Sequence, residues 1–297
     1  MALYRNYDRA GLDAQYFLRG RVPEHPEYFR RWKEESEAVR RARACTLDIA
    51  YDVETLDLFP AEKMPAPCLL FIHGGYWQAL DKSDFSFLAP AFQDAGVAVA
   101  VVNYTLAPKA KMDEIVRQNR AAVAWLARRA RENGIDPARI HVAGHSAGGH
   151  LTAMVLATDW TAFGLDHNPV RGACAISGLY DLEPIRLCYL NDVLGLDAAM
   201  AERNSPLHHL PRRSPPLILS VGTGETDEFL RQQAEFASAW RAARLPLEIA
   251  DQPGDHHFEV VGRLGQPKSP LHQAVMRQIW SSSSAGNGPP RQPSSPA

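Results

Sequence analysis

The sequence predicts an α/β fold: a mostly parallel, doubly wound sheet of about eight strands with flanking helices and a small irregular insertion. Three observations carry this expectation. Short, mainly apolar runs recur at 68–72, 97–102, 140–143, 170–176 and 217–221, the first of them continuous, as central parallel strands buried on both faces require. Helical patterns at 85–95, 112–131 and 228–244 alternate with them. The run at 140–143 leads straight into Gly144-His145-Ser146-Ala147-Gly148 and then into a small-residue helix.

Taken in order, residues 1–45 read as an arm that packs on the core. It is polar, spotted with Tyr and Phe, and helical from Tyr28 to about Arg43. Glu34, Glu35 and Glu37 interleave with Arg40, Arg41 and Arg43, the pattern of a solvated helix face and not of a nucleic-acid patch. Which side of the core the arm covers is open. Strands at 46–51 and 55–59 have no helix between them, which suits an antiparallel start. The buried run 68–72 ends in His73-Gly74-Gly75-Tyr76-Trp77. Gly96 stops the helix at 85–95. The helix at 112–131 places Arg128, Arg129 and Arg131 in its last turns, where cations suit the helix dipole. From 177 to 216 periodicity weakens among Pro184, Pro206, Pro211, Pro215 and Pro216, giving an irregular insertion near the active-site mouth. A strand at 247–250 and a helix ending near Trp280 complete a domain at 46–280. The low-complexity stretch 281–297 is expected to be a disordered tail.

The bulk numbers exclude several classes. The chain has 297 residues, 45% of them hydrophobic and 22% charged, with a net charge of −2, so nothing favours nucleic acid or an anionic membrane as partner. Cys45, Cys68, Cys174 and Cys188 are scattered and read as reduced packing residues. The first twenty residues lack the apolar stretch of a secretory signal, and no run approaches the ~20 apolar residues of a membrane span, so a cytoplasmic location is expected.

Gly144-His-Ser-Ala-Gly148 fits G-x-S-x-G, a strand-to-helix turn that lifts a serine hydroxyl clear of the backbone. A serine nucleophile needs a base, a carboxylate to orient the base, and amides for the developing oxyanion. After the last strand comes Asp255-His256-His257-Phe258, which offers His256 and His257 as the base, and resemblance to related hydrolases, in which the base directly precedes Phe or Gly, favours His257. Beyond 217–221 the loop Gly222-Thr-Gly-Glu225-Thr-Asp227 offers Glu225 as the acid. Asp227 is the alternative, or else the N-cap of the helix that follows. Oxyanion donors, worth ~3 kcal/mol each, are expected from the amides of Gly75, Tyr76 and Ala147. His73 is expected to brace its loop. Tyr76 and Trp77 stack on an aromatic group in the substrate or pack as wall. His141, His145 and His150 form no H-E-x-x-H pattern, so no metal site is expected, and the absence of G-x-x-x-x-G-K and G-x-G-x-x-G leaves no phosphate cofactor to expect.

Together with Ser177-Gly-Leu-Tyr-Asp-Leu-Glu-Pro184 and Glu225-Thr-Asp-Glu-Phe-Leu-Arg-Gln232, these motifs resemble the α/β-hydrolase arylformamidases (kynurenine formamidases) over about residues 45–280. The His73-Gly-Gly-Tyr-Trp77 form is the most specific element. The resemblance implies metal-independent hydrolysis of N-formylkynurenine to formate and kynurenine, with Ser146 as nucleophile, His257 as base and the residue at 225 as acid. The family pattern often has Asp where this chain has Glu225, which leaves room for another substrate. A carboxylesterase acting on short acyl or aryl esters is the alternative. The expected partner is a small molecule, with a homodimer left open. Arg186, Tyr189 and Asn191 of the insertion are candidates to meet a substrate carboxylate.

Overall fold

The computed structural model describes residues 2–281, so the segment 281–297 lies outside the described residues except for Ser281. One eight-stranded sheet has the order β1-β2-β4-β3-β5-β6-β7-β8. Its strands are β1 Thr46–Tyr51, β2 Glu54–Phe59, β3 Ala66–Ile72, β4 Ala98–Val102, β5 Ile135–His145, β6 Val170–Ile176, β7 Leu217–Ser220 and β8 Leu247–Ile249. β2 pairs antiparallel with β1 and with β4, and every other neighbouring pair is parallel. β3 and β4 are buried along their whole length, the environment that their unbroken apolar runs demand.

The parallel register has a direct consequence for chemistry. Ile72 lies beside Gly144, His145 beside Ile176, and Ile176 beside Ser220. The segments that follow β3, β5, β6, β7 and β8 therefore leave the sheet side by side at its carboxyl edge, where α/β sheets bind ligands.

The long helices Met112–Arg129 and Asp227–Ala242 match the expected patterns, with Gly134 at φ 67° closing the turn after the first. The helix expected at 85–95 is shorter. Two 3₁₀ turns, Lys82–Asp84 and Ser86–Leu88, precede an α-helix confined to Ala89–Gln93. Pro90 explains the difference: lacking an N–H, it fits only the first turn, so the α-helix starts beside it. The stretch 177–216 holds three short helices, Glu183–Leu187, Asn191–Leu194 and Ala198–Arg203. Among the described residues no helix is long and apolar enough to cross a membrane.

The arm consists of helices Arg9–Tyr16, Leu18–Arg21 and His25–Ala42. It is bound into the domain by buried Leu12, Tyr16 and Trp32. The Tyr16 hydroxyl donates to Glu228 Oε2 at 2.9 Å, and Trp32 packs against Phe85 and Phe258 at ring distances of 5.6 and 6.4 Å.

The helix Ala147–Leu156 is buried throughout, so its one imidazole must be satisfied inside the protein. His150 Nε2 donates to the Asn204 carbonyl at 2.7 Å, which leaves Nδ1 as the acceptor for the Trp77 indole N–H at 3.2 Å. Both partners require the neutral ring, and burial pushes its pKa from 6.5 down to about 4. Burial also lowers His73 to about 4. Because the folded pKa lies below the unfolded one, the unfolded chain takes the proton first as pH falls. This stability is complete above pH 6.5 and is lost between 6.5 and about 4, at about 1.4 kcal/mol per pH unit for each histidine. Urea unfolding should accordingly give a plateau above about pH 7.5 and a steady loss from pH 6.5 to 5. A stability that rises on acidification over that range would contradict neutral burial of these rings.

Candidate active site

β5 ends at His145, and Ser146 follows at φ 59° and ψ −118°, a conformation that non-glycine residues rarely adopt. The helix Ala147–Leu156 begins on the next residue. The turn is tight because that helix lies directly on β3: a Cβ at Gly148 would sit 1.9 Å from the Ile72 carbonyl oxygen. The Ser146 amide is anchored to the Ile176 carbonyl at 2.8 Å. Ala147 carries the first N–H of the helix, one of the amides with no acceptor within the helix itself.

After β3 the chain turns through Gly75, Tyr76 and Trp77, at φ 99°, 50° and 60°. Glycine is required at 75, where a Cβ would lie 2.1 Å from the Ala79 carbonyl oxygen. The turn is braced from below. The His73 ring stacks on Tyr104 at 4.5 Å, and the Tyr104 hydroxyl donates to the carbonyls of His73 and Gly74 at 3.1 and 3.2 Å. Tyr76 faces the cavity and is tied to the arm through its hydroxyl, which donates to the Tyr16 carbonyl at 2.9 Å. Trp77 corrects an expectation. It is fully buried, with its N–H on His150, and it does not line the cavity, so it cannot stack on a substrate ring. A large indole with one donor is satisfied in the core once a buried acceptor is present.

His257 opens the helix His257–Leu264, and its Nδ1 lies 2.6 Å from Glu225 Oε2. The carboxylate dictates the tautomer: Nδ1 carries the proton and Nε2 is left as the lone pair. The other Glu225 oxygen accepts from Ser177 Oγ at 2.5 Å and from the Gly222 amide at 3.0 Å. Both Glu225 and His257 are buried. Asp227 is the exposed first residue of the helix Asp227–Ala242, with Thr226 at the cap position expected for it, and the carboxylate that meets His257 is that of Glu225. His256 caps the helix His257–Leu264, accepting from the Phe258 amide at 3.2 Å, while its ring packs on Tyr28 at 5.0 Å. Sequence reasoning missed His145. Its ring lies 4.5 Å from that of His257, and its Nε2 donates to the His257 carbonyl at 3.0 Å. Burial holds its pKa well below 6.5, so it is a neutral donor.

Ser146, His257, His145, Gly75 and Tyr76 open onto one cavity of about 330 Å³. Its remaining walls come from Leu80 and Phe258 of the core, Tyr189 and Leu190 of the insertion, and Phe17, Leu18, Arg19, Phe29 and Trp32 of the arm. The arm therefore covers the active-site side, a placement that only its aromatic spotting hinted at. Of the insertion residues considered for a carboxylate, Arg186 is paired with Glu183 at 2.6 Å, and Asn191 is bonded on both sides to Leu196. Tyr189 lines the cavity, with its hydroxyl donating to the Tyr16 carbonyl at 3.2 Å.

A family model described as BD-FAE matches residues 56–175. The kynurenine formamidase of Danio rerio is 34% identical over 257 residues, covering 82% of this chain and 85% of the fish protein. That of Salmo salar is 30% identical over 262 residues, covering 84% and 87%. Among solved structures, a Silicibacter sp. protein provisionally described as a thioesterase superposes with a TM-score of 0.79 at 33% identity, covering 89% of this chain and 98% of its own. With relatives this similar along most of its length, the chain belongs to the kynurenine formamidase family of α/β-hydrolases.

Proposed function

We propose that the protein is a serine hydrolase that cleaves N-formylkynurenine, or a closely similar aryl formamide, to formate and the free aniline. The observation that carries this reading is the meeting, at one aromatic-walled cavity, of Ser146, the His257–Glu225 pair and the positive-φ turn at Gly75–Tyr76. Kinship to enzymes named kynurenine formamidases supports the choice of substrate.

In the proposed reaction Ser146 Oγ attacks the formyl carbon while His257 Nε2 takes the hydroxyl proton. Glu225 stays ionised and holds the imidazolium through Nδ1–H. The amides of Gly75, Tyr76 and Ala147 receive the oxygen that becomes negative. The aniline is a poor leaving group as an anion, so the imidazolium gives its proton to the nitrogen as the C–N bond breaks. Water then attacks the formyl-serine ester, with His257 taking a proton from the water and returning it to Ser146 as formate leaves. The acyl side need hold only a formyl hydrogen, whereas the rings of Tyr76, Phe29 and Trp32 wall the larger side. The same machinery would cleave short acyl or aryl esters, so the leaving-group pocket decides between an arylformamidase and a carboxylesterase.

Purified protein should turn over N-formylkynurenine with a higher kcat/KM than p-nitrophenyl acetate. Efficient hydrolysis of the ester alone would make it a carboxylesterase. A fluorophosphonate probe should label the wild type and fail on Ser146→Ala. Glu225→Ala should lower kcat about a thousand- to ten-thousand-fold and Asp227→Ala less than about threefold, and the reverse ranking would move the acid's role to Asp227.

A further inference from the structure

Among the described residues, Arg19 is the only Lys, Arg, Asp or Glu side chain on the wall of the cavity that holds Ser146. It is exposed and takes part in no ion pair or hydrogen bond among the described residues, although most other arginines of the arm are paired: Arg9 with Asp13, Arg30 with Glu27 and Glu34, Arg43 with Asp94. Its guanidinium lies over the Phe29 ring, 5.4 Å from the centroid, and so is held at the cavity by a face that supplies no counter-charge. The helix that carries it, Leu18–Arg21, is anchored by buried Leu18. Beside it Tyr189 donates its hydroxyl to the Tyr16 carbonyl, and no carboxylate lines this wall among the described residues.

An unpaired guanidinium at the mouth of an apolar cavity is a receptor for an anion, most favourably a planar carboxylate that takes two parallel N–H bonds. We propose that Arg19 is a specificity-determining residue that binds a carboxylate on the leaving-group side of the substrate. The preferred substrate is then an aryl formamide whose side chain bears a carboxylate, not a formamide or ester without one. This inference rests on the formamidase reading above and adds to it the residue that selects the charged end. Since the carboxylate is remote from the reacting carbon, the contact is equal in ground and transition states and acts on KM more than on kcat.

The test compares N-formylkynurenine with 2-formamidoacetophenone, which keeps the aryl formamide and ketone but lacks both the carboxylate and the ammonium of the side chain, so that the Arg19 variants, and not the two substrates alone, isolate the carboxylate contact. In Arg19→Gln, kcat/KM for N-formylkynurenine should fall by at least about tenfold more than for the acetophenone, mostly through KM, and Arg19→Lys should restore part of the difference. Equal losses on both substrates, or no loss on either, would overturn the assignment of Arg19 while leaving the formamidase reading intact. If the wild type cleaves neither formamide, the formamidase reading itself fails and this proposal with it. Because Arg19 is exposed, unchanged thermal unfolding of both variants separates recognition from folding.

Discussion

The site depends on one steric constraint: the helix after Ser146 must lie against the carboxyl end of β3. The approach is so close that a methyl group at Gly148 would overlap the Ile72 carbonyl. The helix cannot lie there unless the chain reverses within one residue, and the residue that reverses it is Ser146, at φ 59°. This backbone cost is of order 1–3 kcal/mol and persists because the surroundings over-determine it. The Ser146 amide is held by Ile176 on the neighbouring strand, and the helix itself is buried on all sides. Strain at 146 and close packing at 148 are two aspects of the same fit, and together they aim the hydroxyl into the cavity.

The parallel register carries the constraint across the sheet. Ser177 follows β6 as Ser146 follows β5, and its hydroxyl reaches Glu225 beyond β7. With the Gly222 amide it occupies the carboxylate oxygen that does not face His257. A glutamate has one more rotatable bond than aspartate, so its carboxylate is worth little as an orienter unless that freedom is removed. Two donors on one oxygen and the imidazole on the other remove it. His145 completes the support from the opposite direction, fixing the His257 backbone while the side chain of His257 is fixed by Glu225.

Much of this was legible in the sequence because the physics is local. A strand covered on both faces must be apolar throughout, so β3 and β4 could be read as unbroken runs and β5 to β7 as largely apolar ones, and a tight strand-to-helix turn must carry small residues beside its serine. What depends on tertiary placement was not legible. His256 and His257 are adjacent and chemically identical, and only the helix start decides that one ring caps while the other enters the cavity. Tyr76 and Trp77 are likewise neighbours, yet the indole turns inward because His150, far along the chain, offers an acceptor. Pro90 is visible in the sequence, but the two 3₁₀ turns that precede its short helix carry no periodic signal of their own. The arm showed dense charge and scattered aromatic residues, which do not say which face of the domain they cover.

That arm makes the division of labour in this site unusual. The groups nearest the serine rise from the carboxyl edge of the sheet and its buried helix. The remaining cavity walls come mostly from the arm and the insertion, with Gln78, Ala79, Leu80 and Phe258 of the core. The helix Leu18–Arg21 has only four residues, too few to be stable alone, so it keeps its shape only while the arm is docked. Docking in turn rests on Tyr16, whose hydroxyl meets Glu228 and whose carbonyl accepts from both Tyr76 and Tyr189. One arm residue therefore joins the Gly75–Trp77 turn, the insertion and the helix that begins two residues beyond Glu225. The surroundings of Ser146 and most of the remaining cavity wall are thus built on separate elements and joined at that residue. A substitution in the arm can reshape the cavity wall while the turn at Ser146 stays fixed by the sheet.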